Sequence, residues 1–523
     1  FRHWMKNSLG EPPVLFRNYS VEAKEAEMMQ VLQNNGFFHP EIQTERITDG
    51  KKISLLHRVH VQKPYYFNQL QYPEPRDSLS AHIKEMEGAT LIRRNEQFSL
   101  QTLKKERERI DAGLKREGFY YFLEDYLYFQ LDTLGAKRKI NMKMALKANV
   151  PEEAARIYTI GQVYMHHDSL QAFDVKQPDT TLLNGVYHIA STNLAVEPDL
   201  LKRSVQLHTG KIYNQEDYVG TLNKLSNLGI YKYVQVKFRD TEEDSARLDA
   251  HIYLTRSLPK SVRAEVQAVS KSNDFTGPGL DISYHDRNFN RRAAAFRFTL
   301  NSGFETQLSS RGKGLNNIEL GVEAEWDYPV LLAPSFLAGY FDNRYFNPHT
   351  RIRTGADYYN RSGLFTVKAL NLSFAYYWNE TEEKSHEIRL TSVDYQRMQN
   401  ISEDPEVEQY LSRTYPQQFI TSMRYTYTMN NMAQEGFFKD YLHVTAEPAG
   451  MLPGLTEKIT RGGANDAVVS EVFGVPYAQY VRLTADYRTY LNVSMGSDLV
   501  ARIMTGIGLP DRKSTRLNSS HYS

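Results

Sequence analysis

The sequence predicts α+β modules in tandem, followed by a transmembrane antiparallel β-barrel that is incomplete at about eleven strands. Two observations predict it. Three times in the first half an amphipathic helix runs into a glycine and then into residues that open a pair of strands: VLQNNGFF around Gly36, GLKREGFYYF around Gly118 and KLSNLGIYKYV around Gly229. From Ser261 onward that pattern stops, and apolar and polar residues alternate with a period of two, as strands with two different faces require.

A chain of 523 residues exceeds one ordinary core, so two or more domains are expected. With 63 basic and 62 acidic residues and a net charge of +1, no overall field points to nucleic acid. Mean hydropathy is −0.56, and no stretch approaches the ~20 apolar residues of a spanning helix. That excludes a helical membrane protein but not a barrel, whose strands are only half apolar. The 35 Tyr and 25 Phe suit the aromatic bands of a barrel, and suit a β-rich soluble protein too. Cysteine is absent, which excludes disulfides, thiolate metal sites and cysteine nucleophiles.

Phe1 opens without a methionine, a basic n-region or an apolar h-region. Residues 511–523 resemble the translation of a sequencing-library adapter and read as a non-native tail outside the fold. The expectation is a chain broken off at both ends, near Pro510 at the second.

In the first repeat, Glu22–Leu32 reads as a helix with Ala23, Ala26, Met29 and Leu32 near a 3.6 period. Gly36 ends it, and strands Glu41–Thr48 and Lys51–Val61 follow, joined at Asp49-Gly50. The second repeat has a leading strand Tyr65–Tyr72 and a helix near Ser78–Glu87. A second helix, Ser99–Arg116, and strands Tyr120–Leu131 and Lys137–Lys147 complete it. The third has the same order: Arg156–His166, Asp199–Gln206, Asn214–Leu228, Tyr231–Phe238 and Arg247–Thr255. The expected domains are 1–62, 63–149, 150–259 and 260–510, with 511–523 a non-native tail.

This β-α-α-β-β order, with its helix–glycine–aromatic junction, resembles the polypeptide-transport-associated (POTRA) domain. A tandem of unrelated small α+β domains is the plainer alternative.

In the second half, Ser261–Ser270 sets Val262, Ala264, Val266 and Ala268 against Arg263, Glu265 and Gln267. Ile318–Trp326 sets Ile318, Leu320, Val322, Ala324 and Trp326 against Glu319, Glu323 and Glu325. Phe419–Met429 and Gln479–Arg488 alternate likewise, with Met423, Tyr425, Val481 and Leu483 against Arg424, Thr426, Arg482 and Asp486. A soluble sheet also alternates. Segments of about ten residues, with charges of both signs on the polar face, favour a tilted membrane strand facing a wet lumen. The count of about eleven strands leaves no closed even-numbered barrel, so the first strand is expected to have an unpaired edge.

The segment GLDISYHDRNFNRRAAAFRF (Gly279–Phe298) resembles the early barrel strands of the assembly-factor superfamily that includes BamA and TamA. It is most similar to the TamA-like (TamL) proteins of Bacteroidota, with their Arg-Asn-aromatic hairpin. Trp326–Pro334, Asn347–Thr350 and Gly10–Val14 are similar to that branch as well. Two departures stand out. Arg291-Arg292 occupies a turn where small residues are expected, and the family's lumen-loop Arg-Gly motif does not appear, its expected place being shortly after Pro510, where residues 511–523 begin. The resemblance implies an outer-membrane location with POTRA domains in the periplasm. It implies unfolded outer-membrane or secreted polypeptides as substrates, the lipid bilayer and a periplasm-spanning TamB-like protein as partners, and a barrel seam at Ser261–Ser270. A two-partner-secretion transporter and a passive porin or adhesin barrel stay open as alternatives.

No G-x-S-x-G, P-loop or H-E-x-x-H occurs, so the reading is non-enzymatic, with no catalytic, cofactor or metal residues. His166-His167-Asp168 has a metal-like look but reads as a surface turn. Adjacent strand residues would in any case face opposite ways. Glu319, Glu323 and Glu325 read as lumen carboxylates paired with arginines such as Arg297 or Arg424, and Glu382-Glu383-Lys384 reads as a solvated loop.

Overall fold

The structure, a computed structural model, describes residues 19–50, 52–133, 138–167, 179–183, 185–190, 194–241, 244–271, 275–307, 316–332, 347–400, 417–433, 438–450, 471–494 and 497–510, with 16, 405, 406, 409 and 411 besides. The chain divides into two compact units. One is Phe1–Gly161 with Thr209–Glu216 and Arg239–Asp249; the other is Gln162–His208 with Asp217–Phe238 and Ala250–Ser523.

In the first unit, helix α1 (Val21–Asn34) starts where the Ser20 hydroxyl accepts the Ala23 N–H at 3.1 Å. It ends where Gly36, at φ +87°, turns the chain left-handed. The Gly36 N–H donates to Gln33 O and the Phe37 N–H to Leu32 O, both at 3.0 Å. These bonds satisfy carbonyls that the helix end would otherwise leave orphaned. Strands β1 (Glu41–Asp49) and β2 (Lys52–His60) pair from Glu41↔His60 to Asp49↔Lys52. Asp49 is therefore still a strand residue and the turn begins at Gly50, at φ +57°, one position later than the Asp49-Gly50 expected.

The second repeat has strand β3 (Tyr66–Gln71), helices α2 (Ser78–Glu85) and α3 (Leu100–Arg116), and strands β4 (Leu127–Asp132) and β5 (Lys139–Leu146). Asp77 and Ser80 form a capping box at the start of α2. The sheet order is β3-β5-β4, with β3 parallel and β4 antiparallel to β5. Leu79 and Ile83 of α2 and Ile110 and Leu114 of α3 meet Leu127 and Met144 in one core. Each such fully buried side chain stabilises by roughly 1.5–3 kcal/mol. One expectation fails here, since the strand opens at Leu127 and not at Tyr120. Phe119 and Phe122, three residues apart, both turn into the core, and residues 124–126 form a 3-10 turn before the chain extends.

The third repeat contributes β6 (Thr159–His167), β7 (Asp179–Leu183), β8 (Val186–Ala190), helices α4 (Pro198–Ser204) and α5 (Gln215–Asn227), and strands β9 (Tyr231–Thr241) and β10 (Asp244–Arg256). Its sheet order is β7-β8-β6-β10-β9. The β7–β8 hairpin is an insertion that the periodicity does not announce. Its signal is the Asn184-Gly185 dipeptide between apolar residues.

In the second unit, eleven strands form one antiparallel sheet in chain order. They are β11 (Lys260–Ser270), β12 (Phe275–Phe289), β13 (Ala294–Gln307), β14 (Asn316–Tyr328), β15 (His349–Arg361), β16 (Phe365–Asn379), β17 (Lys384–Asn400), β18 (Gln418–Asn430), β19 (Phe438–Ala449), β22 (Tyr480–Ser494) and β23 (Ser497–Pro510). Two-residue strands β20 (Glu471–Val472) and β21 (Val475–Pro476) pair with each other. The count matches the expectation, but the strands run from 11 to 17 residues instead of about ten. Register shifts at Asp286/Phe289, Phe374/Ala375 and Arg389/Ser392 account for part of the shortfall, in β12 and β17. A bulge inverts the alternation, so a period-two reading stops there although the strand does not. No helix among the described residues is long and apolar enough to cross a membrane.

Candidate functional site

The large sheet has two chemically opposed faces. Register places Phe298, Ala324, Thr354 and Leu372 on one row, and Leu300, Val322, Ala356 and Leu370 on the next. Val322, Leu320, Leu370 and Leu483 are 40–55% exposed. Val262 and Val266 of β11 and Tyr425 belong to the same exposed apolar set. A face this apolar and this open is what hydrocarbon covers in a spanning sheet. Aromatic rings gather near the strand ends of this face. Trp326 lies 5.0 Å from Phe296, and Trp378 stacks on His386 at 5.0 Å. The placement fits an interfacial band.

The opposite face is charged and paired. Arg353 reaches Glu325 at 2.5 Å and Glu323 at 3.0 Å, and Arg297 lies 3.9 Å from Glu325. Arg351 pairs with Asp327 at 2.6 Å. Glu447 is buried and accepts from Arg424 at 2.8 Å, Arg482 at 2.6 Å and the Tyr480 hydroxyl at 2.9 Å. Asp486 is held by Arg488 at 2.7 Å and Arg502 at 3.0 Å. Pairing of Glu325 with Arg297 is as the sequence suggests. Arg424 of β18 instead serves Glu447 on the neighbouring strand β19, and β18 lies four strands from β14, where Glu323 and Glu325 sit, because adjacent strands set the partners. Residues 380–383 form the β16–β17 turn, with Lys384 opening β17.

Strands β11 and β23 end the sheet, each with one neighbour among the described residues. Every residue of β23, and all but one of β11, is exposed. Among the described residues the first edge is therefore unpaired, as the strand count leads one to expect, and such an edge presents a row of N–H and C=O groups.

The His166-His167 reading needs correction: both lie in β6, not in a turn. They do point to opposite faces, and each meets a different histidine. His167 is buried, with its Nε2 3.1 Å from Nδ1 of His188. His166 Nε2 lies 3.1 Å from Nδ1 of His251. Burial pushes the His167 imidazole down to about 3, helped by the nearby charges of His188, Arg256 and His166. Among the described residues no three ligating side chains converge on a metal position. Asp168 lies outside the described residues.

The second repeat holds one buried carboxylate, Glu106, which sequence reading missed among the charges of α3. It accepts from Arg109 at 2.8 Å, from the Leu91 N–H at 2.9 Å and from the Tyr72 hydroxyl. Burial alone would raise its pKa. The bonds from Arg109, Leu91 and Tyr72 outweigh that and hold it below the usual carboxylate range. All its partners are internal, so it staples the module.

No family model matches the chain, and no curated protein matches it. Among solved structures it is similar to CdiB from Escherichia coli at 9% identity and a TM-score of 0.38, over 94% of this chain and 75% of that one. BamA from Haemophilus ducreyi lacking POTRA domains 1-3 is similar at 9% identity and a TM-score of 0.32, over 85% of this chain and 100% of that one. The POTRA3-5 fragment of Haemophilus influenzae BamA is similar at 13% identity and a TM-score of 0.27, over 46% and 83% respectively.

Proposed function

We propose that this chain is a non-enzymatic outer-membrane factor that assembles or translocates polypeptides, with repeats 1–62, 63–149 and 150–259 as periplasmic POTRA domains and 260–510 as the membrane sheet. One observation carries the reading. A single chain joins β-α-α-β-β repeats to an eleven-stranded antiparallel sheet with an apolar exposed face, a charge-paired opposite face and a free edge at β11. Such an edge takes an extended polypeptide by strand addition, main chain to main chain. Release into the bilayer then needs no nucleotide, because hydrocarbon rewards a strand that has satisfied its backbone groups. Within this class the Arg-Asn-aromatic hairpin at Asp286–Arg292 favours a TamA-like protein of the Bacteroidota type, with a TamB-like partner. The test reconstitutes the protein into liposomes and follows folding of a urea-unfolded eight-stranded barrel protein. Accelerated folding, with crosslinks from a photoreactive residue at Val266 to the probe, is expected. Export of a soluble probe across the bilayer without insertion would favour a two-partner-secretion transporter, and no effect on either would favour a passive barrel.

A further inference from the structure

We infer that the turn between β12 and β13 is a strained latch that fastens segment 194–197 of the third repeat to the membrane sheet and fixes its angle there. The sequence departs from small residues at this turn, and the backbone shows what that entails. Asn290, Arg291 and Ala293 sit at φ +56°, +58° and +53°, a left-handed region that asparagine tolerates and that arginine and alanine resist. Glycines would make the same turn without strain. The side chains present do something glycine cannot. Arg291 donates from Nη2 to Leu194 O at 2.7 Å, and Asn288 donates from Nδ2 to Ala195 O at 2.8 Å. Arg292 donates from Nε to Glu197 Oε1 at 3.2 Å, and the Glu197 N–H donates to Arg291 O at 3.1 Å. Asn288 also holds the turn closed by accepting the Ala293 N–H at 3.0 Å. Glu197 is the residue before α4, and its carbonyl accepts the Leu200 N–H that opens the helix. The latch thus grips a helix start.

A second attachment lies beside it. The Arg287 N–H donates to Pro259 O at 2.8 Å, and its guanidinium reaches Leu258 O. That bond tethers the covalent linker running from β10 into β11. A linker alone is one point, about which a module can swivel; the latch supplies a second point and removes that freedom. Strain and contact are linked. The left-handed turn persists because its partner over-determines it, so a turn that loses segment 194–197 relaxes, and a relaxed turn no longer presents Arg291 and Arg292 for docking. Engaged and released are then two discrete states of one element.

The chain has no cysteine, so spin labels at Lys202→Cys in α4 and Phe298→Cys in β13 report one distance in the full-length protein in lipid nanodiscs. The intact latch gives a single narrow distribution. Arg292→Glu should at least double its width, and Glu197→Lys/Arg292→Glu should restore it, since a swapped charge pair satisfies the latch where simple destabilisation would deepen. If charge reversal hinders folding, Arg291→Ala read by hydrogen exchange should lower protection of the Glu197 amide at least tenfold. An unchanged distribution in Arg292→Glu, failure of the swap to restore it, or unchanged Glu197 protection in Arg291→Ala overturns the latch.

Discussion

The Tyr158 N–H donates to Gly118 O at 2.9 Å, and the Tyr65 N–H donates to Gly36 O at 3.0 Å. The same bond is made twice, each time by the first residues of a repeat to the glycine that ends the previous helix. It continues identically, with Phe98 N–H to Tyr65 O and Tyr213 N–H to Tyr158 O, both at 2.8 Å. An aromatic two residues past each glycine fills the joint. Phe38 lies 5.0 Å from Tyr65 and 5.3 Å from Phe98, while Tyr120 lies 5.0 Å from Tyr213. The glycine therefore ends a helix and also lets the next repeat approach its carbonyl, which explains why the junction recurs as a whole motif.

The first prediction separates those two roles. A Cβ on Gly118, at φ +101°, would come within 2.7 Å of Ile157 Cγ2 and Ile212 Cγ2, whereas Gly229, at φ +70°, has nothing within 4 Å. Gly229→Ala should cost about 1 kcal/mol, the left-handed penalty alone. Gly118→Ala should cost about 2–4 kcal/mol, because overpacking adds to strain. Denaturant titration of each variant checks it. Equal losses would mean that the joint yields to the methyl group and is not close-packed.

These glycines also mark how far the sequence carries. Helices and strands with unbroken periodicity, such as Leu100–Arg116 and Lys260–Ser270, are legible within a residue or two. What is not legible is set by contacts remote in sequence. Phe119 and Phe122 look like strand residues until the core that swallows them exists. Strand bulges hide the true strand length, and the partner of Arg424 depends on which strand lies beside it. The free edge of β11 was legible as a consequence of counting. The latch residues Arg291 and Arg292 were legible only as an anomaly, because nothing local says that Leu194 and Glu197 wait across the turn.

The second prediction concerns pH. His167 sits in the fold as a neutral imidazole, while the unfolded chain binds a proton near pH 6.5. The folded pKa is depressed, so the stability is fully present above about pH 6.5 and is lost progressively as pH falls toward 3. The slope is about 1.4 kcal/mol per pH unit. Burial depresses His188 in the same direction. The loss should appear first in β8, which among the described residues pairs with β6 through Tyr164↔Tyr187, Met165↔His188 and His166↔Ile189. Hydrogen-exchange protection of Val186–Ala190 should fall about tenfold per unit between pH 6 and 4, and the double variant His167→Phe/His188→Phe should flatten that dependence. A wild-type protection profile that stays flat over this range would refute the neutral buried pair.

The third prediction concerns Glu447. It is 4% exposed and serves two guanidiniums and a phenol. Glu447→Ala leaves Arg424 and Arg482 facing each other without their anion. Both remain partly wet, so the cost should be about 1–3 kcal/mol, below that of a dry buried pair. Glu323→Ala, whose partner Arg353 keeps Glu325, should cost less than about 1 kcal/mol. Unfolding of the reconstituted protein in guanidinium measures both, and a Glu323 variant as damaging as the Glu447 variant would show that the inner face is not organised around Glu447.

The fourth prediction tests which face meets lipid. Val322 and Glu323 are adjacent in β14 and point to opposite faces, Val322 on the row of Leu300 and Ala356 and Glu323 on the row of Thr299 and Gly355. Both are solvent-accessible in the isolated chain, at 40% for Val322 and 50% for the Glu323 side chain, so accessibility alone does not distinguish them. Chemistry does: one row is aliphatic, and the other borders Arg353. If hydrocarbon covers the Val322 row, Val322→Arg at mid-membrane depth should cost ~2–4 kcal/mol, while Glu323→Arg on a water-filled lumen should cost mainly its pairing with Arg353. A spin label at Val322 should broaden with oxygen and not with an aqueous nickel chelate, and a label at Glu323 should do the reverse. The opposite pattern would turn the sheet inside out and remove the basis for a membrane-embedded factor. Equal aqueous broadening at both sites would make the sheet a soluble one.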